Sequence, residues 1–212
     1  LTDSGGVYNP GTGTTVFYSS SPRVLTAGGS SFNNVRFDGA GSWSFSDTNF
    51  ATLGNFTVAQ GTLTLPNGTS TIGGSYTNQA TVNSGISTIE FNATGTGKTL
   101  NFGNSPLYNV LINGAAGGWT MSANATTTNN FVLNNANSWT LASGQHLAVG
   151  SLFVNSVGGA STTWTGSILT LSGPDQAINS KLNNGDVYAT LQTLGDTDIS
   201  MWNSSSTVFT TA

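Results

Sequence analysis

Hydrophobic and polar residues alternate along this chain in many short runs. Examples are Val35-Arg36-Phe37, Trp43-Ser44-Phe45, Phe56-Thr57-Val58, Leu63-Thr64-Leu65, Ile89-Glu90-Phe91, Leu100-Asn101-Phe102, Leu169-Thr170-Leu171 and Val208-Phe209-Thr210. Alternation sends one set of side chains to each side of an extended backbone, so each run predicts a half-buried strand. The runs begin about every 8–12 residues, a spacing shared by sandwiches, barrels and solenoids. Asn67-Gly68, Gly73-Gly74, Asn113-Gly114 and Asn184-Gly185 stand between them and supply turns. No segment holds a 3.6-residue apolar period for three turns, so no long helix is predicted.

The pattern repeats at long range. Setting Asn34-Val35 on Asn109-Val110 aligns Phe32 to Gly39 with Leu107 to Gly114, a shift of 75 residues. Trp43 then falls on Trp119, and Asn55-Phe56-Thr57-Val58 on Asn130-Phe131-Val132-Leu133. Ile72 to Asn78 matches Val149 to Asn155 at a shift of 77, and Ile89-Glu90-Phe91 matches Leu169-Thr170-Leu171 at 80. A third copy begins near Tyr188-Ala189-Thr190-Leu191, with Trp202 as its tryptophan. The expected organisation is one elongated repeat domain over 1–212: a partial repeat 1–31, repeats 32–106 and 107–187, and a partial repeat 188–212.

A shorter echo relates Gly54-Asn55-Phe56-Thr57 to Gly74-Ser75-Tyr76-Thr77, 20 residues on. A unit of roughly 20–25 residues with two or three short strands has the size of one coil of a parallel β-solenoid. The expected fold is therefore all-β, a parallel β-solenoid in the form of a right-handed β-helix. Val, Ile, Leu and Phe would form inward ladders, with Thr and Ser outward and Gly and Asn at the corners. Tandem antiparallel β-sandwiches are the alternative, which the hairpin-type Asn-Gly and Gly-Gly pairs favour.

Composition sharpens this reading. Ser (27), Thr (33), Asn (24) and Gly (28) make up over half of the 212 residues, and only 4 Lys+Arg and 8 Asp+Glu are present. Charged residues are 6% of the chain, against about 25% in ordinary soluble domains. Four cations cannot neutralise many phosphates, which argues against nucleic acid as a partner. The absence of Cys removes disulfides, thiolate metal sites and Cys nucleophiles. No run of about 20 apolar residues predicts a membrane span. Leu1 opens in mid-pattern with no basic-then-apolar leader, which suggests a mature product or a piece of something longer.

One resemblance follows from the repeat itself. Its carriers are Phe32 to Gly39, Trp43, Gly54 to Val58 and Gly61 to Leu65, with their second-copy partners. This pattern resembles the Gly/Ser/Thr/Asn-rich β-helical repeats of large secreted bacterial surface proteins, the stalks of adhesins and autotransporter passengers. The resemblance covers most of the chain from Phe32 onward. It implies an extracellular or cell-surface, elongated, non-catalytic segment and supplies no binding residues.

Candidate chemistry is sparse. His146 is the only His, no Gly-x-Ser-x-Gly elbow is present, and no catalytic residue, metal ligand or cofactor is expected. Glycoside hydrolysis needs two carboxyls about 5–10 Å apart. Asp196 with Asp198, and Asp38 with Asp47, are the pairs to examine, although Asp38, Asp186 and Asp196 sit beside Gly or in turn sequences. Asp196-Thr197-Asp198 is also the one close pair for calcium. Thr62 with Thr64, Thr69 with Thr71 and Thr163 with Thr165 do not recur at one coil position, so an ice-binding array is disfavoured. The sequons at Asn55, Asn67, Asn92, Asn124 and Asn203 are expected by chance in such a composition.

The tryptophans are the most suggestive residues. Trp43, Trp119 and Trp202 align in successive copies and would form stacking platforms for sugars if they point outward, or core packing if inward. Trp139 falls on Leu63, which favours the core. Trp164 falls on Ser84 and is the better outward candidate. Three function classes follow. The first is a structural segment whose partners are other repeats or copies of itself, end to end or edge to edge. The second is a glycan-binding adhesive module using Trp164, Trp139, Trp43, Trp119 and Trp202. The third is a polysaccharide-active enzyme.

Overall fold

The structure, a computed structural model, describes residues 8–173, 175–179, 187–195 and 198–202. The chain forms a parallel β-solenoid of about eight turns. Gly159–Ser161, a single 3-10 turn, is the one helical element among the described residues. Every strand pairing among the described residues is parallel, and antiparallel sandwiches are not what these residues form.

Each coil has three strand positions, here called faces A, B and C. Thr69–Ile72 lies on face A, Tyr76–Asn78 on B and Thr81–Asn83 on C. Thr88–Phe91 then returns to face A directly over Thr69–Ile72. Face A also holds Phe50–Thr52, the first parts of the long strands Asn109–Met121 and Phe131–Leu141, then Phe153–Asn155, Asp175–Asn179 and Asp198–Trp202. Face B stacks Thr14–Phe17, Asn34–Phe37, Phe56–Val58, Tyr76–Asn78, Lys98–Asn101, the last parts of the two long strands, and Thr162–Thr163. Face C stacks Arg23–Leu25, Ser42–Phe45, Thr62–Thr64 and Thr81–Asn83, then after a gap Ala125–Thr127, His146–Val149, Ile168–Leu171 and Thr190–Thr193. Paired residues lie from 19 apart, as in Thr69 and Thr88, to 24 apart, as in Tyr76 and Leu100. That is the coil length the 20-residue echo predicts.

The alternation read from the sequence sets the inside and the outside. In Asn34–Phe37, Thr69–Ile72 and Thr88–Phe91 every second residue is buried. On face B the row Val35, Phe56, Tyr76, Leu100, Met121, Leu141 runs through the interior. Coils about 4.8 Å apart bring like side chains into contact rung by rung. Phe56 and Tyr76 accordingly stack with centroids 5.6 Å apart and planes 6° from parallel, and Phe17 and Phe37 at 5.1 Å and 19°. Asn109–Met121 runs unbroken through the corner between faces A and B, with irregular register at 112–118. Glycine is needed there. A Cβ at Gly114 would lie 2.9 Å from the Trp119 ring, and one at Gly117 would overlap it.

The long repeat does not coincide with the coil. Val35 stands on face B and its aligned partner Val110 on face A. Trp43 is on C and Trp119 on B, while Ile89 is on A and Leu169 on C. Each aligned pair is thus displaced by one face in the same sense. From Asn34–Phe37 to the first part of Asn109–Met121 is eleven strand positions, counting a loop at 103–106 as one, and eleven is not a multiple of three. The opening strands of the three copies, Asn34–Phe37, 109–112 and Thr190–Thr193, therefore lie on faces B, A and C.

Two outcomes test this packing. Phe56 is fully buried against Tyr76, so Phe56→Ala should cost about 3–5 kcal/mol in urea unfolding; a loss under about 1 kcal/mol would contradict the stacked interior. The Tyr76 hydroxyl is buried with no hydrogen-bond partner, and burial raises its pKa well above the ordinary 10.0. Above pH 10 the unfolded chain releases this proton while the folded chain keeps it. Stability present below pH 10 is therefore lost as pH rises toward the folded-state value. Tyr76→Phe should flatten that part of the stability–pH curve without destabilising the protein at pH 7.

Candidate functional site

The tryptophans were the leading candidates, and the fold turns them inward. Trp43, Trp119, Trp139 and Trp164 are at most 2% exposed. Trp119 and Trp139 are paired rungs of face B. Trp164 packs on Trp139 at 6.4 Å and on Tyr188 at 4.9 Å. The expectation of an outward Trp164 is corrected: Thr140 pairs with Thr163, so the next residue follows Leu141 into the interior. None of these four rings offers a face to a sugar. Trp43 and Trp119 also lie on different faces, so they do not line up along the rod. Trp202 ends the strand Asp198–Trp202, and its side chain lies outside the described part.

The carboxylates are engaged locally. Asp47 accepts from the backbone N–H of Ala27 at 2.6 Å and of Gly28 at 3.1 Å, tying its corner to the coil below. Asp38 pairs with Arg36 at 2.9 Å within one coil. Glu90 accepts from the Asn113 amide at 2.8 Å, one coil on. Asp38 and Asp47 thus serve different corners. Asp3, Asp186 and Asp196 lie outside the described residues, which leaves the Asp196–Asp198 pair undescribed. Asp175 and Asp198 occupy paired rungs of face A, a juxtaposition that sequence spacing did not reveal. His146 meets the Thr170 hydroxyl at 2.6 Å, and that hydroxyl donates to Gln192 at 3.0 Å. Among the described residues no three His, Cys, Asp or Glu side chains gather as a metal site would require. Among the described residues no helix is long and apolar enough to cross a membrane.

Asparagine does the most consistent work at the surface. Asn34 Oδ1 accepts from the N–H of Asn55 at 2.8 Å, and Asn55 Oδ1 accepts from that of Ser75 at 2.9 Å. In the second copy Asn109 Oδ1 accepts from Asn130 N–H at 3.2 Å, and Asn130 Oδ1 from Leu152 N–H at 3.2 Å. The first ladder runs up the A/B corner and the second up the C/A corner, again one face displaced. Two of the sequon residues, Asn55 and Asn124, are thus corner ties, with Asn124 Oδ1 receiving the His146 N–H at 2.9 Å.

Open depressions interrupt the outer surface of the described residues. One of about 380 Å³ lies beside Gly29, Ser30, Thr71 and Glu90; one of about 260 Å³ beside Asp47, Thr48 and Asn67; one of about 170 Å³ between 103–106 and 124–126. None brings several titratable groups together. No protein-family model matches the chain, and no curated protein or solved structure matches it.

The tryptophan burial is directly measurable. Acrylamide should quench at most one of the five tryptophans efficiently, with a blue-shifted emission from the rest. Efficient quenching of most of the emission from the folded protein would contradict it.

Proposed function

We propose that the chain is a non-catalytic structural segment of an extracellular bacterial surface or fibre-forming protein. The observation that carries this reading is the use made of its few reactive side chains. Asp47, Glu90 and His146 each bond to a neighbouring coil, and the corner asparagines do the same. The polar chemistry holds the stack together instead of converging on a substrate. An outer surface of Thr, Ser and Asn on a charge-poor chain suits a rod that packs beside like surfaces without electrostatic repulsion.

Stacking on further coils is the partner interaction that fits. Among the described residues Thr14–Phe17 pairs only with Asn34–Phe37, and Arg23–Leu25 only with Ser42–Phe45. Val16, Tyr18 and Val24 beside those strands are more than half exposed.

Electron microscopy of the purified chain tests the proposal. About eight turns at ~4.8 Å give a body of about 40 Å, so end-to-end assembly should appear as rods several times that length, with a ~4.8 Å axial spacing in diffraction. Compact monomers at all concentrations, together with release of sugars from a polysaccharide panel, would contradict it.

A further inference from the structure

Each of the two full sequence copies is preceded by a strand position that no strand fills. Before the first copy the loop 27–31 crosses that position on face A, and Phe32 alone bridges to the next coil, at Thr52. Before the second copy the loop 103–106 crosses it on face C, and Leu107 alone bridges, at Thr127. The two places align at a shift of 75, with Gly28 on Gly103, Ser30 on Ser105 and Phe32 on Leu107. Gly28 and Gly103 turn the chain with left-handed φ of 59° and 61°, and Phe32 and Leu107 make the isolated bridges. An open depression accompanies each, about 380 Å³ beside Gly29 and Ser30 and about 170 Å³ beside Gly103, Asn104 and Ser105.

The second gap divides face C into two four-stranded sheets, while faces A and B continue as one sheet. Above it Leu107 keeps two backbone bonds, its N–H donating to the Thr126 carbonyl at 2.9 Å and its carbonyl accepting from Thr128 N–H at 2.8 Å, but below it side chains replace the backbone ladder. Val82 N–H donates to Ser105 Oγ at 2.9 Å, and Ser84 Oγ donates to the Pro106 carbonyl at 3.1 Å. The Asn78 amide donates to the Phe102 carbonyl at 3.0 Å and to Ser105 Oγ at 3.2 Å. Pro106 has no N–H to add. Isolated side-chain bonds beside an open, wet notch break more readily than the cooperative ladder on the other two faces.

We infer that the gap at 103–106 is a bend point. The coils before it and the coils after it pivot on the continuous sheet of faces A and B, and the notch on face C opens and closes. The equivalent loop before the first copy lies on face A, so an equivalent bend there would open toward a different side. A run of copies is then flexible in more than one plane while its backbone ladder stays intact.

Two measurements on the whole chain test this. Spin labels on Thr64→Cys with Thr126→Cys span the gap on face C. Labels on Thr57→Cys with Thr120→Cys span the same coils on uninterrupted face B, and the chain has no Cys of its own. The face C pair should give a clearly broader distance distribution. In the unmodified protein the Val82 amide, held by a hydroxyl, should exchange at least about tenfold faster than that of Leu63, its paired rung in the intact ladder one coil below. Equal widths for the two label pairs, or a Val82 amide as slow as Leu63, would overturn the bend point.

Discussion

The structure depends on one constraint: parallel backbone ladders that set coil on coil at about 4.8 Å. At that spacing every side chain meets its counterpart in the coil above and below. Apolar rows become continuous ladders, such as Val35 through Leu141 on face B, and aromatic rings must stack or tilt into contact. Outward rows meet in the same way, which is why carboxylates and ammonium groups are scarce: like charges on successive rungs would repel. Thr, Ser and Asn satisfy each rung without that cost, and a corner Asn can accept the N–H of the coil that follows. The composition is thus a consequence of the stacking geometry.

Much of the fold was legible in the chain because each strand announces itself by alternation and each turn by Gly or Asn. The 20-residue echo gave the coil, and the residues expected in the core, Phe37, Phe56, Leu63 and Ile89 among them, are there. The face each strand occupies was not legible. All three faces require the same inward–outward pattern, so a run of strands shifted by one face reads identically in sequence. Copies 75 to 80 residues apart looked like stacked equivalents, yet Val35 and Val110 lie on different sides of the rod. Only the pairing register reveals this.

Trp164 shows the same limit at one residue. Alternation in Thr162-Thr163-Trp164-Thr165 fixes that Thr163 and Trp164 point to opposite sides, but not which side is inward. The alignment supplied Ser84 as a guide, a residue of another face. The rung Thr140–Thr163 settles the parity, and Trp164 enters the core beside Trp139 and Tyr188. The site chemistry was legible mainly as scarcity. That Asp47, Glu90 and the corner asparagines are ties between coils depends on contacts about 20 residues apart, which no local motif records.

Cross-linking reads the central claim, parallel stacking with copies displaced by one face, most directly. Thr57 and Thr77 are paired outward rungs of face B, and neighbouring parallel strands hold Cα atoms within the 4.4–6.8 Å that a disulfide spans. Arg36 and Leu111 are equivalents in the two sequence copies but lie on faces B and A. In this cysteine-free chain, Thr57→Cys with Thr77→Cys should oxidise readily to an intramolecular disulfide, and so should Glu90→Cys with Leu111→Cys, because Leu111 stands over Glu90 on face A and not on the face of its equivalent Arg36. Failure of either pair to close would contradict the account.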